Sequence, residues 1–221
     1  GGSIPYSKLE ANPDLKRLFQ GSRFFFEYNE DRGHVWTLED VTRTERVFEK
    51  TTATCLTCKS AQVPGLIQKL GPQYYTTPFS DIIKLAKDPI SCSDCHNPKT
   101  MELRITRPAF KEAMARRGVD VDKATRQEMR SYVCGQCHVE YYFQPGTVKL
   151  IFPWDKGFTP DEVYQYYEEI KFKDHEHPAT GTPLLKAQHP EFEMFQGSIH
   201  QSAGVACADC HMPYTKEGDV K

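Results

Sequence analysis

Four CxxC pairs consume every cysteine in this chain, and a basic residue follows each pair directly. Three pairs end in histidine: Cys92-Ser-Asp-Cys95-His96, Cys134-Gly-Gln-Cys137-His138 and Cys207-Ala-Asp-Cys210-His211. The fourth ends in lysine, Cys55-Leu-Thr-Cys58-Lys59. CxxCH is the attachment signature of c-type haem, in which two thioethers hold the porphyrin edge and the adjacent imidazole binds the iron. Zinc ribbons also use CxxC pairs, but zinc has no need of a basic residue after each second cysteine. Disulfides within such pairs would close only tiny loops. Lysine in the place of the ligating histidine sets one haem apart, and chemistry is expected there.

The haem reading accounts for the composition. The 221 residues are 38% hydrophobic, with few aliphatic side chains to build a core. Four porphyrins, each a large apolar plate, make up that deficit. The expected fold is mainly α with long loops and little β, a multihaem cytochrome c fold with haems serving as the core. One domain spanning residues 1–221 is expected, without a conventional sheet or helical bundle. A net charge of −2 gives no sign of nucleic acid or of an acidic lipid surface as partner. No run reaches the length of a membrane span. The opening Gly1-Gly2-Ser3-Ile4-Pro5 reads as a mature or trimmed start. Covalent haem attachment takes place outside the bacterial cytoplasm, so the expected compartment is the periplasm.

Helix signals dominate. Ser80 predicts an N-cap for a helix over 81–87, stopped by Pro89. Pro108 at the first helical position predicts a helix to Arg117, with Gly118 closing it. Thr159-Pro160-Asp161-Glu162 is a capping box that opens a helix to about Ile170. Further helices are expected from about Asp122 into Cys137 and from Pro190 to about Gln201. Strand signals are short: 101–106 and 147–151 alternate and are expected to pair as a small ribbon. The polar stretch 173–178 is expected at the surface.

Electron-transfer haems hold two strong axial ligands, so each CxxCH iron seeks a second histidine. Outside the motifs the chain has His34, His175, His177, His189 and His200. Lys59 binds iron only when deprotonated, which burial and the metal's Lewis acidity both favour.

Taken together, several motifs resemble those of the pentahaem cytochrome c nitrite reductases, which reduce nitrite to ammonium. They are Cys55-Leu-Thr-Cys58-Lys59, Arg32-Gly33-His34, Cys134 to Phe143, Lys186-Ala187-Gln188-His189-Pro190-Glu191, His200, and Cys207 to Pro213, all in family order. The resemblance implies that Lys59 is the proximal ligand of a catalytic haem whose other face stays open for nitrite. Arg46, Tyr141 and His189 match the arginine, tyrosine and histidine that the family places around that face. Arg43 competes with Arg46, and Tyr142 stands beside Tyr141. A guanidinium holds an anion, while histidine and tyrosine deliver protons as N–O bonds break. The resemblance further implies a calcium ion held by Glu140, Tyr141, Lys186 and Gln188, an all-oxygen set that suits a hard cation. His34 resembles the distal ligand of the haem on His138, and His200 that of a fifth haem.

The chain departs from the family in lacking a fifth CxxCH and the C-terminal helices that form a homodimer contact. It is therefore expected to be a fragment or a shortened relative, with the distal ligands of the haems on His96 and His211 unassigned. His175 and His177 are open as substitutes. The implied function is six-electron reduction of nitrite to ammonium, fed by bis-histidine haems from a membrane-anchored, quinol-oxidising multihaem cytochrome. Hydroxylamine and sulfite are candidate side substrates. The competing reading is a multihaem electron carrier without chemistry of its own.

Overall fold

The computed structural model describes residues 4–213 and 218; the glycine-rich opening at residues 1–3 lies outside them. The described residues are mostly helical, with two two-stranded ribbons. Among them no helix is long and apolar enough to cross a membrane. Contacts divide the chain into two units. The first comprises the chain through Asp94 together with Tyr142–Ile151 and Glu169–Lys186; the second comprises Cys95–Tyr141, Phe152–Glu168 and the chain from Ala187 onward.

In the first unit, Ala53, Leu56, Val63, Tyr74 and Ile82 are fully buried. The helix Val63–Leu70 carries Pro64 in its first turn, where a missing N–H leaves nothing unpaired, and Gly71 closes it with φ +56°. Tyr74 Oη donates to the Ala53 carbonyl at 3.0 Å, and Thr54 Oγ1 donates to the Val148 carbonyl at 2.6 Å. These bonds hold the turn Ala53–Leu56, which leads into the Lys59 motif. The ribbons pair Tyr142–Phe143 with Leu150–Ile151 and His175–Glu176 with Pro183–Leu184.

In the second unit, Phe110 on the helix Pro108–Arg116, Trp154 and Phe192 form an aromatic core with ring centroids 5.3–5.7 Å apart. A Cβ at Gly135, inside the Cys134–Cys137 motif, would sit 2.5 Å from the Phe192 ring, so this position admits only glycine. The helix Arg126–Gly135 starts at a capping box in which Thr125 and Glu128 exchange bonds. Against it docks the short helix Cys207–His211, held by an Arg130–Asp209 ion pair and a Cys207 N–H to Ser131 Oγ bond of 3.2 Å.

Several elements differ from the sequence expectation. The helix expected over 81–87 is Phe79–Ile82 followed by the single tight turn Ile83–Leu85. Buried Phe79 and Ile82 anchor it, and Pro78 rather than Ser80 precedes it. The helix expected from Asp122 begins only at Arg126, because Thr125 and Glu128 form the stronger start signal. The helix expected over 190–201 is two, Glu191–Phe195 and Ile199–Ser202. Gly197 breaks it at φ +71°, and Ser198 caps the second piece. Segments 101–106 and 147–151 do not pair. The first folds back on its own haem motif, with Arg104 N–H to Cys95 O and Asn97 N–H to Glu102 O, both 2.8 Å. Met101, at φ +61°, makes that reversal.

Candidate active site

All eight cysteines are unbridged, which leaves each pair available for thioether bonds. His96 Nδ1 lies 2.8 Å from the Met101 carbonyl. A carbonyl only accepts, so Nδ1 carries the proton and the Nε2 lone pair is free to bind a metal. Thiols and imidazole therefore fit a covalently held haem. Lys59 lies in the first unit. Thr37 Oγ1 lies 2.8 Å from the Lys59 carbonyl and 2.9 Å from that of His34, and it accepts from Ile90 N–H at 3.2 Å. The motif is thereby tied to the Arg32-Gly33-His34 turn. Gly33 adopts φ +103°, and Arg32 is buried against Trp36 and paired with Glu39 and Asp40.

Burial pushes the Cys55 thiol up, while the nearby cations Arg23, Arg46 and Lys59 pull the other way. Arg46 and Lys59 are thus neighbours of the same cysteine. Arg46 Nε bonds Thr44 Oγ1 at 3.3 Å, and its guanidinium lies 4.7 Å from the Phe24 ring centre. Arg43 points elsewhere: it pairs with Glu39 at 2.8 Å and its side chain is 76% exposed. The two arginines left open by the sequence thus differ in their contacts.

In the second unit, the Tyr141 and His189 rings lie 5.7 Å apart, and those of His138 and His189 lie 5.9 Å apart. His189 Nδ1 accepts from Val139 N–H at 3.2 Å, with Glu191 3.4 Å from the same atom. The two contacts are alternatives, since the first needs the lone pair and the second a proton. Burial opposes ionisation of Glu191, but the hydrogen bond and positive charge from His189 outweigh it and hold this carboxyl below its usual range. Tyr142, by contrast, is buried against Phe172 at 4.8 Å in the first unit.

Glu140 is buried; its carboxylate accepts from Tyr167 Oη at 2.8 Å and Gln188 N–H at 2.5 Å. Two of the expected calcium ligands, Glu140 and Gln188, are therefore together, with Tyr141 adjoining. Lys186 belongs to the first unit, where Phe24 and Tyr28 flank its ammonium. Sequence reasoning missed Glu193. It is buried, accepts from Glu140 N–H at 2.9 Å and Trp154 Nε1–H at 2.5 Å, and keeps an unpartnered Oε2. Burial pushes its pKa up to about 7. No local signal marks it, because both donors are distant in sequence.

The remaining histidines separate as well. His34 and His200 are exposed. His177 is engaged at both nitrogens, by the Arg17 carbonyl and Ala179 N–H. His175 has both ring nitrogens buried without a hydrogen-bond partner.

Cysteine pairs without disulfides, a basic residue after each pair and a mainly helical chain define a multihaem c-type cytochrome. The profile of the cytochrome c552 family matches residues 1–221, and the chain belongs to that family. It is 48% identical to a cytochrome c-552 of Parabacteroides distasonis and 40% identical to a cytochrome c nitrite reductase subunit NrfA of Nitratidesulfovibrio vulgaris. Both alignments cover all of this chain, but 46% and 48% of those proteins. A solved cytochrome c nitrite reductase of Desulfovibrio desulfuricans, described for two calcium sites in its catalytic subunit, superposes with a TM-score of 0.88. That match is 38% identical over 96% of this chain and 53% of the other. The chain spans about half the length of the relatives it matches.

Proposed function

We propose that this chain holds the nitrite site of an ammonia-forming cytochrome c nitrite reductase. One observation carries the reading: Lys59 replaces the ligating histidine in one motif of a chain whose solved relative at TM-score 0.88 is a nitrite reductase. Reduction of nitrite to ammonium consumes six electrons and releases both oxygens as water, so protons must arrive where the N–O bonds break. Haem, when bound, supplies the electrons through its iron.

In this reading Arg46 holds the nitrite anion and stabilises the negative charge that builds on its oxygens. Its place on Thr44 and Phe24 orients the guanidinium in advance. Tyr141 and His189 act as proton donors. Glu191, kept ionised beside His189, favours the protonated imidazole. Lys59 would set this haem apart by offering its iron an amine in place of an imidazole.

Calcium belongs to the same proposal: Glu140, the Tyr141 and Lys186 carbonyls and the Gln188 side-chain amide would hold it, and the bond from the Gln188 main-chain N–H to Glu140 brings two of the four residues together. His34 would ligate the iron of the haem on His138, and His200 that of a fifth haem whose motif this sequence does not contain. The Lys186 side chain, lying on an aromatic ring, leaves its carbonyl as the group for the cation. The periplasm is the proposed compartment, a membrane-anchored quinol-oxidising multihaem cytochrome the electron donor, and a homodimer the assembly. A single multihaem domain is also proposed, since the chain passes between the two units after Asp94, Tyr141, Ile151, Glu168 and Lys186.

The test is ammonium release from nitrite by the haem-loaded protein with a reduced viologen dye, alongside Lys59→His. Ammonium from the parent and a lower rate in the variant support the reading. A red, folded protein that makes none would overturn it.

A further inference from the structure

One aromatic ring in the first unit carries two cations. Phe24 lies 4.7 Å from the Arg46 guanidinium carbon and 4.1 Å from Lys186 Nζ, measured to its ring centre. It is itself fixed within a three-ring cluster, 5.7 Å from Phe19 and 5.3 Å from Tyr28. Tyr28 also meets Lys186, at 5.3 Å. Two like charges repel, and an exposed pair would swing apart. Both faces of an aromatic ring are negative, and the attraction of the Phe24 ring for each cation offsets that repulsion.

The backbone beneath Arg46 is held separately. Arg23 Nη1 donates to the Arg46 carbonyl at 3.3 Å and to Thr51 Oγ1 at 2.8 Å. Thr44, bonded to Glu27, takes Arg46 N–H at 3.3 Å. The main chain is thus pinned by polar bonds, whereas the charged end of Arg46 rests on Thr44 and on Phe24.

We infer that Phe24 is a positioning residue for anion binding: its ring fixes the Arg46 guanidinium and holds the Lys186 ammonium nearby, so that both positive charges add to the field a small anion meets. This rests on the reading of Arg46 as the nitrite-holding group. The arrangement distinguishes charged from neutral ligands. Two fixed cations favour nitrite, while hydroxylamine, neutral at pH 7, gains little from them.

The experiment is spectroscopic titration of the ferric, haem-loaded protein with nitrite and, separately, with hydroxylamine, comparing Phe24→Leu and Phe24→Tyr with the parent. Phe24→Leu is expected to weaken nitrite binding about 3- to 10-fold and to leave hydroxylamine within about 2-fold. Phe24→Tyr, which keeps the ring face, is expected to restore nitrite binding. Lys186→Met leaves the carbonyl in place and serves where the leucine variant fails to fold; it should weaken nitrite about 2- to 3-fold. Equal weakening of both ligands, or a tyrosine variant as poor as the leucine one, would mean a general packing role and overturn the inference. Parent binding of nitrite with an indifferent Phe24→Leu would overturn it alone. A parent that binds neither ligand would remove the functional reading and the positioning with it.

Discussion

The two units differ most in where they put their carboxyls, although each sets cations on aromatic rings, as the second does with Arg117 on Phe158. In the first, several cations rest on aromatic faces: Arg46 and Lys186 on Phe24, Arg23 on Phe48, and the buried Arg32 on Trp36. In the second, carboxyls are taken inside: Glu140 and Glu193 are both buried and accept from Tyr167, Trp154 and the backbone, with Glu193 Oε2 left unpartnered. A cation on a ring costs little desolvation and still meets an incoming anion. A buried carboxyl costs much more, and it must be repaid by hydrogen bonds, a proton or a metal. The first arrangement therefore suits anion capture, and the second suits proton or cation storage.

This contrast is open to direct attack. Trp154→Ala opens the aromatic core and deprives Glu193 of a donor; it should cost about 3–5 kcal/mol in urea unfolding. Phe48→Ala in the first unit, where the ring is exposed, should cost far less.

Glu193 gives the next largest effect. Its carboxyl titrates near 7 in the folded chain against an ordinary value of 4.5. The native state keeps a proton that the unfolded chain releases between those values. Stability should therefore fall as pH rises from 4.5 to about 7 and then level off, a change on the order of 3 kcal/mol. Glu193→Gln should flatten that slope in unfolding midpoints measured across the window. A slope that persists would place the titrating group elsewhere.

Arg46→Gln should lower nitrite turnover about 100-fold, as loss of a charge-stabilising donor does, while Arg43→Gln stays within about 2-fold. Equal losses would erase the distinction between the two arginines. The smallest effect is expected at Thr125→Ala, which removes one helix cap and should cost about 1 kcal/mol without altering nitrite binding.

Local chemistry was legible in the sequence, and long-range pairing was not. Pro108 and Gly118, or Thr159 and Glu162, act within a few residues, and the helices Pro108–Arg116 and Pro160–Glu169 end close to where those signals put them. Gly197, by contrast, was absorbed into an expected helix although its positive φ ends one there. The haem motifs were readable because thioether attachment fixes their spacing. Phe24 and Glu193 were not, since each matters through partners tens of residues away. The Arg46 and Arg43 pair shows the same limit: both lie in one charged stretch, and only Phe24 on one side and Glu39 on the other tell them apart.

The most direct measurement is electron paramagnetic resonance of the ferric, haem-loaded protein before and after nitrite. The account predicts a high-spin signal that nitrite converts and that Lys59→His abolishes or alters, with the low-spin histidine haems unchanged. A protein with every haem low-spin and indifferent to nitrite would contradict it and leave an electron carrier.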